Sequence, residues 1–242
     1  MPVDPVGFGA RLVSRIRQPE TATKGNIMAL HINAFPDHAL THAELEAWRA
    51  IPASIASDEL NRTCTPDAGL KKFSSNTPLV GLAFTVRTMA GDNLALHHAV
   101  SRAVPGSILM IDAGGYDRNA VWGGILHTAA RLRGVVGVVV DGCIRDVAEI
   151  RSSPIACYAR GHVPAGPHKG WGGEINVTVQ IGRAAVKAGD LVIGDEDGLT
   201  FIPFEDRAAV LERCRKRIAA EAEVVRRIEA GETTVEIMKL AV

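Results

Sequence analysis

Arg145 and Asp146 stand side by side in "VVVDGCIRDVAEI" (138–150), directly after a run of apolar residues. A guanidinium can clamp a carboxylate through two parallel hydrogen bonds, and an adjacent carboxylate can hold a hard divalent cation that keeps most of its waters. A second anion-binding element is "VWGGIL" (121–126), where Gly123 and Gly124 open a predicted helix. Paired glycines let the backbone approach a ligand, and the free N–H groups of a first helical turn attract negative charge. Together the two elements suit a small carboxylate beside a metal, a setting in which an enolate oxygen is stabilised.

Plainer readings of these residues stand beside that one. Arg145 lies at i,i+4 from Glu149 and could form an ordinary helix pair, and Asp146 could cap a helix. Glycine pairs are commonly turns. Gly91-Asp92-Asn93 has a phosphate-binding composition, yet Asn93 reads better as a helix N-cap. "DEDG" (195–198) resembles a piece of a calcium loop without the remaining ligands and reads as a hairpin turn. His97 and His98 are adjacent, so on a helix they point apart and cannot chelate one metal. His127, His162 and His168 have no paired spacing and read as surface or packing residues. Cys143 lies within the site-forming loop, with no histidine nearby in sequence to activate it.

The elements that must position these groups follow from periodicity. "THAELEAWRAI" (41–51) predicts a helix with Thr41 and Glu44 at capping-box spacing, and "IPASIASDELNR" a second one. "PLVGLAFTVRTM" (78–89) predicts a strand, and "NLALHHAVSRAV" (93–104) a helix stopped by Pro105-Gly106. Strand, helix, strand, helix, strand then alternate at 107–115, 123–134, 135–142, 145–153 and 155–161. Continuously apolar strands in that rhythm indicate a mostly parallel sheet covered on both faces. In such sheets ligands sit beyond the carboxyl ends of the strands, and the strand at 135–142 is expected to stop at Asp141-Gly142 to deliver Arg145 and Asp146 there. From about 175 onward, short segments separated by "GR", "AGD" and "DEDG" predict antiparallel β structure, and 204–232 a long helix ending at Gly231. Residues 1–40 read as an N-terminal extension and 41–242 as a single α/β domain.

Lys plus Arg and Asp plus Glu number 27 each, so the chain lacks the basic excess that nucleic acid or an anionic membrane selects. Small molecules and other protein chains are the partners this leaves. The four cysteines are widely spaced and read as reduced thiols of a cytoplasmic protein. No window approaches the ~18 apolar residues of a membrane span.

The ordered blocks "VGLAFTVRTMAGDNLALHHAV", "WGGIL", "VVGVVVDGCIRDVAEI", "AGDLVIGDEDGLTFIP" and "RRIEAGET" resemble the RraA-like family, which includes the class II 4-hydroxy-4-methyl-2-oxoglutarate aldolases. The resemblance covers about residues 43 to 240, and twenty residues separate Gly124 from the Arg145-Asp146-x-x-Glu149 element, as in that family. It implies a swivelling β/β/α three-layer sandwich with a long C-terminal helix, assembled as a trimer or hexamer with active sites between subunits. It also implies Mg²⁺ or Mn²⁺ on Asp146, and the pyruvyl carboxylate on Arg145 and the backbone of Gly123, Gly124, Ile125 and Leu126. Retro-aldol cleavage of a 4-hydroxy-2-oxo diacid would then give a pyruvate enolate, with oxaloacetate decarboxylation as a side activity.

Two departures accompany the resemblance. Aldolase members often carry an acidic residue where this chain has Gly124. A further acidic group is expected from a neighbour's C-terminal helix, with Glu221 and Glu223 both candidates. The missing carboxylate favours an alternative, a non-enzymatic protein-binding regulator of the ribonuclease-inhibitor kind, whereas Arg145 and Asp146 favour the lyase. A decarboxylase or lyase for another 2-oxo acid is a third reading.

Overall fold

Strands that are apolar at every position need cover on both faces, and this chain supplies it in layers. The computed structural model describes residues 30–74 and 78–241. In chain order the elements are β1 (Leu30–Ile32), α1 (His42–Arg49), α2 (Ala53–Glu59), β2 (Lys71–Lys72), β3 (Leu79–Thr88), α3 (Leu94–Arg102), β4 (Ser107–Trp122), α4 (Gly124–Leu132), β5 (Gly137–Ile144), α5 (Val147–Arg151) and β6 (Ala156–His162). They continue with β7 (Gly173–Ile175), β8 (Val179–Ile181), β9 (Ala184–Val186), β10 (Leu191–Gly194), β11 (Leu199–Ile202), α6 (Arg207–Glu229) and α7 (Thr234–Met238).

The sheet runs β1-β7-β3-β4-β5-β6-β2, with β3, β4, β5 and β6 parallel. β10 joins the start of β3 antiparallel and carries β11, also antiparallel. Alternate strand residues serve different cores. Phe84, Val86, Val138, Val140 and Ala159 pack beneath α3 and α4, whereas Ala83, Met110, Val139 and Tyr158 pack beneath the β8–β9 hairpin. A third core joins α1, α2 and α6 to β10 and β11. Helices, central sheet and hairpin make the β/β/α sandwich that the resemblance implies.

The expected elements are present, with two corrections. The strand expected at 107–115 runs on to Trp122, and β5 does not stop at Asp141-Gly142 but continues to Ile144. Both follow from pairing. Asp112, Tyr116, Ala120 and Trp122 of β4 pair successively with Asp141, Gly142, Cys143 and Ile144 of β5, the surplus β4 residues being taken up at three register shifts, the first at Gly114 and Gly115 (both φ 67°). Cys143 and Ile144 also pair with Gly161 and His162 of β6. The excursion brings Trp122 level with Ile144, and so the two glycines level with Arg145 and Asp146.

The capping box of α1 is formed: Glu44 N–H donates to Thr41 Oγ1 (3.2 Å) and Thr41 N–H to the Glu44 carboxylate (2.9 Å). Residues 195–198 form the β10–β11 turn, closed by Asp195 N–H to the Gly198 carbonyl (2.9 Å). The long helix begins one turn later than 204, after a 3₁₀ turn at Phe204–Asp206. Of the N-terminal extension, residues 1–29 lie outside the described residues; Leu30–Ile32 pairs with β7, and Phe35 stacks on Phe84.

Candidate functional site

Where β4 and β5 end together, the chain turns twice within a few ångströms. Arg145 N–H donates to the Trp122 carbonyl (2.9 Å), carrying the ladder one residue past β5. Asp146 then takes a left-handed conformation (φ 58°), which for an L-residue costs on the order of 1 kcal/mol and least for Asp or Asn. That bend turns its carboxylate back towards α4, where Oδ2 accepts the Gly124 N–H (2.9 Å). Asp146 therefore caps α4, not α5, whose first turn receives no side-chain bond from it. An anion at the N-terminus of α4 is favoured by the free N–H groups and the helix dipole.

The glycines matter for space, not for backbone freedom. Gly123 is extended (φ −164°), but a Cβ there would lie 2.7 Å from Asp146 Oδ2 and 3.2 Å from Arg145 Nε. A Cβ on Gly124 would fall on the Glu149 carboxylate, 2.7 Å from its Cδ. The expected close approach is real, and it is made by this chain's own carboxylates. Glu149 does not pair with Arg145; Thr128 Oγ1 donates to it (3.2 Å). Arg145 instead lies 3.7 Å from Asp146 through Nε, with both side chains close to half exposed.

The cleft at this junction is open to solvent, with a cavity volume of about 70 Å³. One wall is Gly123, Ile125, Leu126, Arg145 and Asp146, the floor is Ala120 to Trp122, and the facing wall is Asn93, His97, Pro167 and Lys169. Of the expected site residues, Gly124 alone is absent from this lining, its N–H being taken by Asp146. The facing wall was not foreseen. Asn93 occupies the N-cap position of α3 without capping it: Asp92 Oδ1 accepts the Leu94 N–H (2.8 Å), while Asn93 Nδ2 donates to the Val121 carbonyl (3.2 Å). Asp92 Oδ2 also accepts from Gly170 N–H (2.8 Å), fastening the Lys169 segment to α3.

The other singled-out groups behave as packing. His127 is buried and accepts from Trp122 Nε1 at Nδ1 (3.3 Å); burial, then the nearby Arg131 charge, pushes its pKa down to about 4. Cys143 is a buried strand residue, not part of a loop, and burial raises its thiol pKa. Glu221 pairs with Arg217 (3.0 Å) and Glu223 with Arg226 (2.8 Å), both on the exposed part of α6.

Among the described residues no cluster of three or more His, Cys, Asp or Glu side chains gathers as a ready-made metal cage. A cation of the Mg²⁺ type does not require one, because it keeps several waters and takes one or two carboxylates. The half-exposed Asp146 with Glu149 close by fits that demand.

A family model described as RraA-like: Aldolase/RraA matches residues 53–201. The chain belongs to the RraA-like family. Over 183 residues this RraA-like chain is 34% identical to a Halalkalibacterium halodurans protein named as a candidate 4-hydroxy-4-methyl-2-oxoglutarate aldolase, covering 74% of this chain and 87% of that one. A Thermus thermophilus protein named 4-hydroxy-4-methyl-2-oxoglutarate aldolase is 33% identical over 55% of this chain and 80% of its own. The structure titled RNA-processing inhibitor RraA, also from Thermus thermophilus, matches at 30% identity with a TM-score of 0.58, over 62% of this chain and 92% of that one. An uncharacterised Pseudomonas syringae protein shares the fold with a TM-score of 0.72 at 24% identity, over 83% and 95% of the two chains.

Proposed function

We propose that this RraA-like protein is a divalent-metal-dependent lyase that cleaves a 4-hydroxy-2-oxo diacid, such as 4-hydroxy-4-methyl-2-oxoglutarate, to pyruvate. The observation that carries this reading is the meeting of Arg145, the α4 N-terminus and the Asp146 carboxylate in one small cleft. Arg145, with the first-turn backbone of Gly123, Ile125 and Leu126, would bind the C1 carboxylate and orient the 2-oxo group, the Gly124 N–H being held by Asp146. Asp146 would hold Mg²⁺ or Mn²⁺, and the ion when bound would supply Lewis-acid neutralisation of charge on the 2-oxo oxygen. In the reaction the C4 hydroxyl loses its proton, the C3–C4 bond breaks, and its electron pair passes into the pyruvate enolate as C4 leaves as a carbonyl. The enolate is then protonated at C3. Glu149, whose carboxylate lies against Gly124 just outside the cleft lining, would orient water for that proton. Loss of CO₂ from oxaloacetate forms the same enolate and is the expected side activity.

The same reading extends to location and assembly. The protein acts in the cytoplasm as a homotrimer or homohexamer, with α6 and α7 packing on a neighbour. In support, Val225, Ile228, Val235, Met238 and Leu240 of the C-terminal segment are exposed, and no helix of the described residues is long and apolar enough to cross a membrane. Glu221 or Glu223 would then reach a neighbouring site.

Pyruvate release coupled to lactate dehydrogenase tests the reading, with Mg²⁺ or EDTA and with the two substrates offered in parallel. Metal-dependent cleavage of the hydroxy diacid supports the aldolase. Turnover of oxaloacetate alone points to a decarboxylase or a lyase for another 2-oxo acid. The RNA-processing inhibitor named among the similar structures favours a second reading, a protein-binding regulator; silence on both substrates with a stoichiometric partner in a pull-down would support it.

A further inference from the structure

At the end of the sheet remote from the cleft, three helices finish side by side. α3, α4 and α5 cover one face of the sheet, and each returns the chain to the start of β4, β5 or β6. Their turns are tied together: Gly106 N–H donates to the Gly134 carbonyl (2.8 Å), Val136 N–H to that of Ser107 (3.0 Å) and Ala156 N–H to that of Val136 (3.2 Å). Each helix brings arginine to this edge, Arg102 from α3, Arg131 and Arg133 from α4, and Arg151 from α5, and all of them are exposed. A cation in a last turn complements the helix dipole, which accounts for one per helix and not for the pair on α4. Elsewhere Arg160, Arg207 and Arg217 each pair with a carboxylate. Among the described residues, the arginines of this edge have no such partner. Apolar groups are interleaved with them. Leu132 is 73% exposed between Arg131 and Arg133, and Val104 is exposed beside Arg102. Next to them the starts of β3, β5 and β6 leave a shallow hollow lined by Pro78, Val135, Val136, Pro154 and Ile155.

We propose that this edge docks an acidic, extended segment of another protein, whose carboxylates meet Arg102, Arg131, Arg133 and Arg151 while its apolar side chains cover Leu132 and the hollow. The inference does not depend on the lyase reading. Charge complementarity selects the occupant, because clustered guanidiniums recognise acidic motifs through paired, charge-assisted hydrogen bonds. The chain's own N-terminal segment has the wrong sign for the place: residues 1–29 carry Arg11, Arg15, Arg17 and Lys24 against Asp4 and Glu20. An occupant read by charge alone would leave Leu132 and the hollow wet, whereas a segment that mixes carboxylates with apolar side chains covers both. Its length follows from the helices. Packed helices lie about 8–10 Å apart, so three adjacent ends span roughly 16–20 Å, about six residues of extended chain.

Fluorescence anisotropy on the full chain tests the proposal, with a fluorescein-labelled decapeptide of glutamate and aspartate interrupted by two leucines as the probe. A decapeptide of equal charge with serine for leucine, a single-stranded RNA decamer and phosphatidylserine vesicles are the competing probes. The leucine-bearing peptide should bind best, and its affinity should fall as NaCl is raised. Charge reversal by Arg131→Glu with Arg133→Glu should weaken it by about tenfold or more, and Leu132→Ser by about three- to tenfold. These substitutions change exposed side chains outside the cleft, and an unchanged Tm shows that the variants fold. No binding of the peptide, binding indifferent to the charge reversal, or equal binding of the serine peptide would overturn the proposal. Tighter binding of the RNA or of the vesicles would assign the edge to a nucleic acid or a membrane and overturn it as well.

Discussion

The carboxylate of Glu149 lies where a side chain on Gly124 would begin. Between α4 and α5 the space beside Gly124 is filled by that carboxylate, close to the Asp146 carboxylate. The absence of an acid at position 124 does not empty the site of its second carboxylate.

This relationship gives a reciprocal test. Glu149→Ala should lower pyruvate release by about 10- to 100-fold, within the usual range for a proton-handling group. Gly124→Asp alone should do as badly, because the new side chain meets the Glu149 carboxylate at once. Combined, the two substitutions should regain part of the activity, a coupling read directly from a double-mutant cycle. Additive losses would show that the positions act independently.

Asp146 caps α4 and, in the proposed lyase, would also hold the metal, and Asn separates the two tasks. Asp146→Asn keeps a residue tolerant of left-handed backbone and an oxygen that can accept the Gly124 N–H. Loss of the charge at the α4 N-terminus should cost about 1 kcal/mol or less, a fall in Tm of roughly 4 °C at most. Activity should fall by a hundredfold or more, about the loss expected when a group stabilising developing charge is removed. EDTA, which should abolish turnover by the wild type, should then change little further. A variant that is well folded and active in EDTA would remove the metal from the scheme.

Much of this was legible in the sequence, and the misses share a cause. Thr41 with Glu44 and the apolar strands depend on short-range patterns and appear as read, while Gly123 meets Arg145 and Asp146 because neighbouring parallel strands end side by side, as the strand–helix alternation implies. The end of β5 does not appear as read. Asp141-Gly142 carries a turn signal, but Asp141 is committed to Arg160 and to the Gly182 N–H (2.7 Å), partners that no local window contains. Likewise Gly114-Gly115 marks an excursion within β4 and not its end, because the strand resumes pairing beyond it. Asn93 had the composition of a cap, and only the nearness of Val121 shows that its amide is used elsewhere.

Arg145 is held against Gly166, where an added Cβ would lie 2.7 Å from its Nη1. Gly166→Ala should therefore displace the guanidinium without touching any charged group, raising KM for the oxo acid more than it lowers kcat. Arg145→Lys should cost more, about 10- to 100-fold in kcat/KM, since an ammonium cannot reproduce the two-point contact with a carboxylate. Steady-state kinetics on both variants would check the order. Unchanged KM in Gly166→Ala would free Arg145 from the position assigned to it.

Stability should depend on pH through a separate ion cluster. Arg160 bridges Asp141 on β5 and Asp67, which also takes the Gly69 N–H (2.9 Å). Its hydrogen bonds, ahead of the Gly69 amide, hold the Asp67 pKa below the ordinary carboxylate value. A lowered folded pKa means that this contribution is complete above the unfolded pKa near ~4 and is lost as pH falls through the folded value. Arg160→Met should destabilise at neutral pH by about 2–4 kcal/mol, because it leaves the Asp141 carboxylate, 8% exposed, with an amide in place of a cation. Below the folded pKa the Asp67 carboxylate is protonated in either protein, so its part of the gap should disappear. Urea midpoints followed from pH 7 downward through the acid range give the trend, and a gap that stays constant with pH would assign the loss to packing instead of charge.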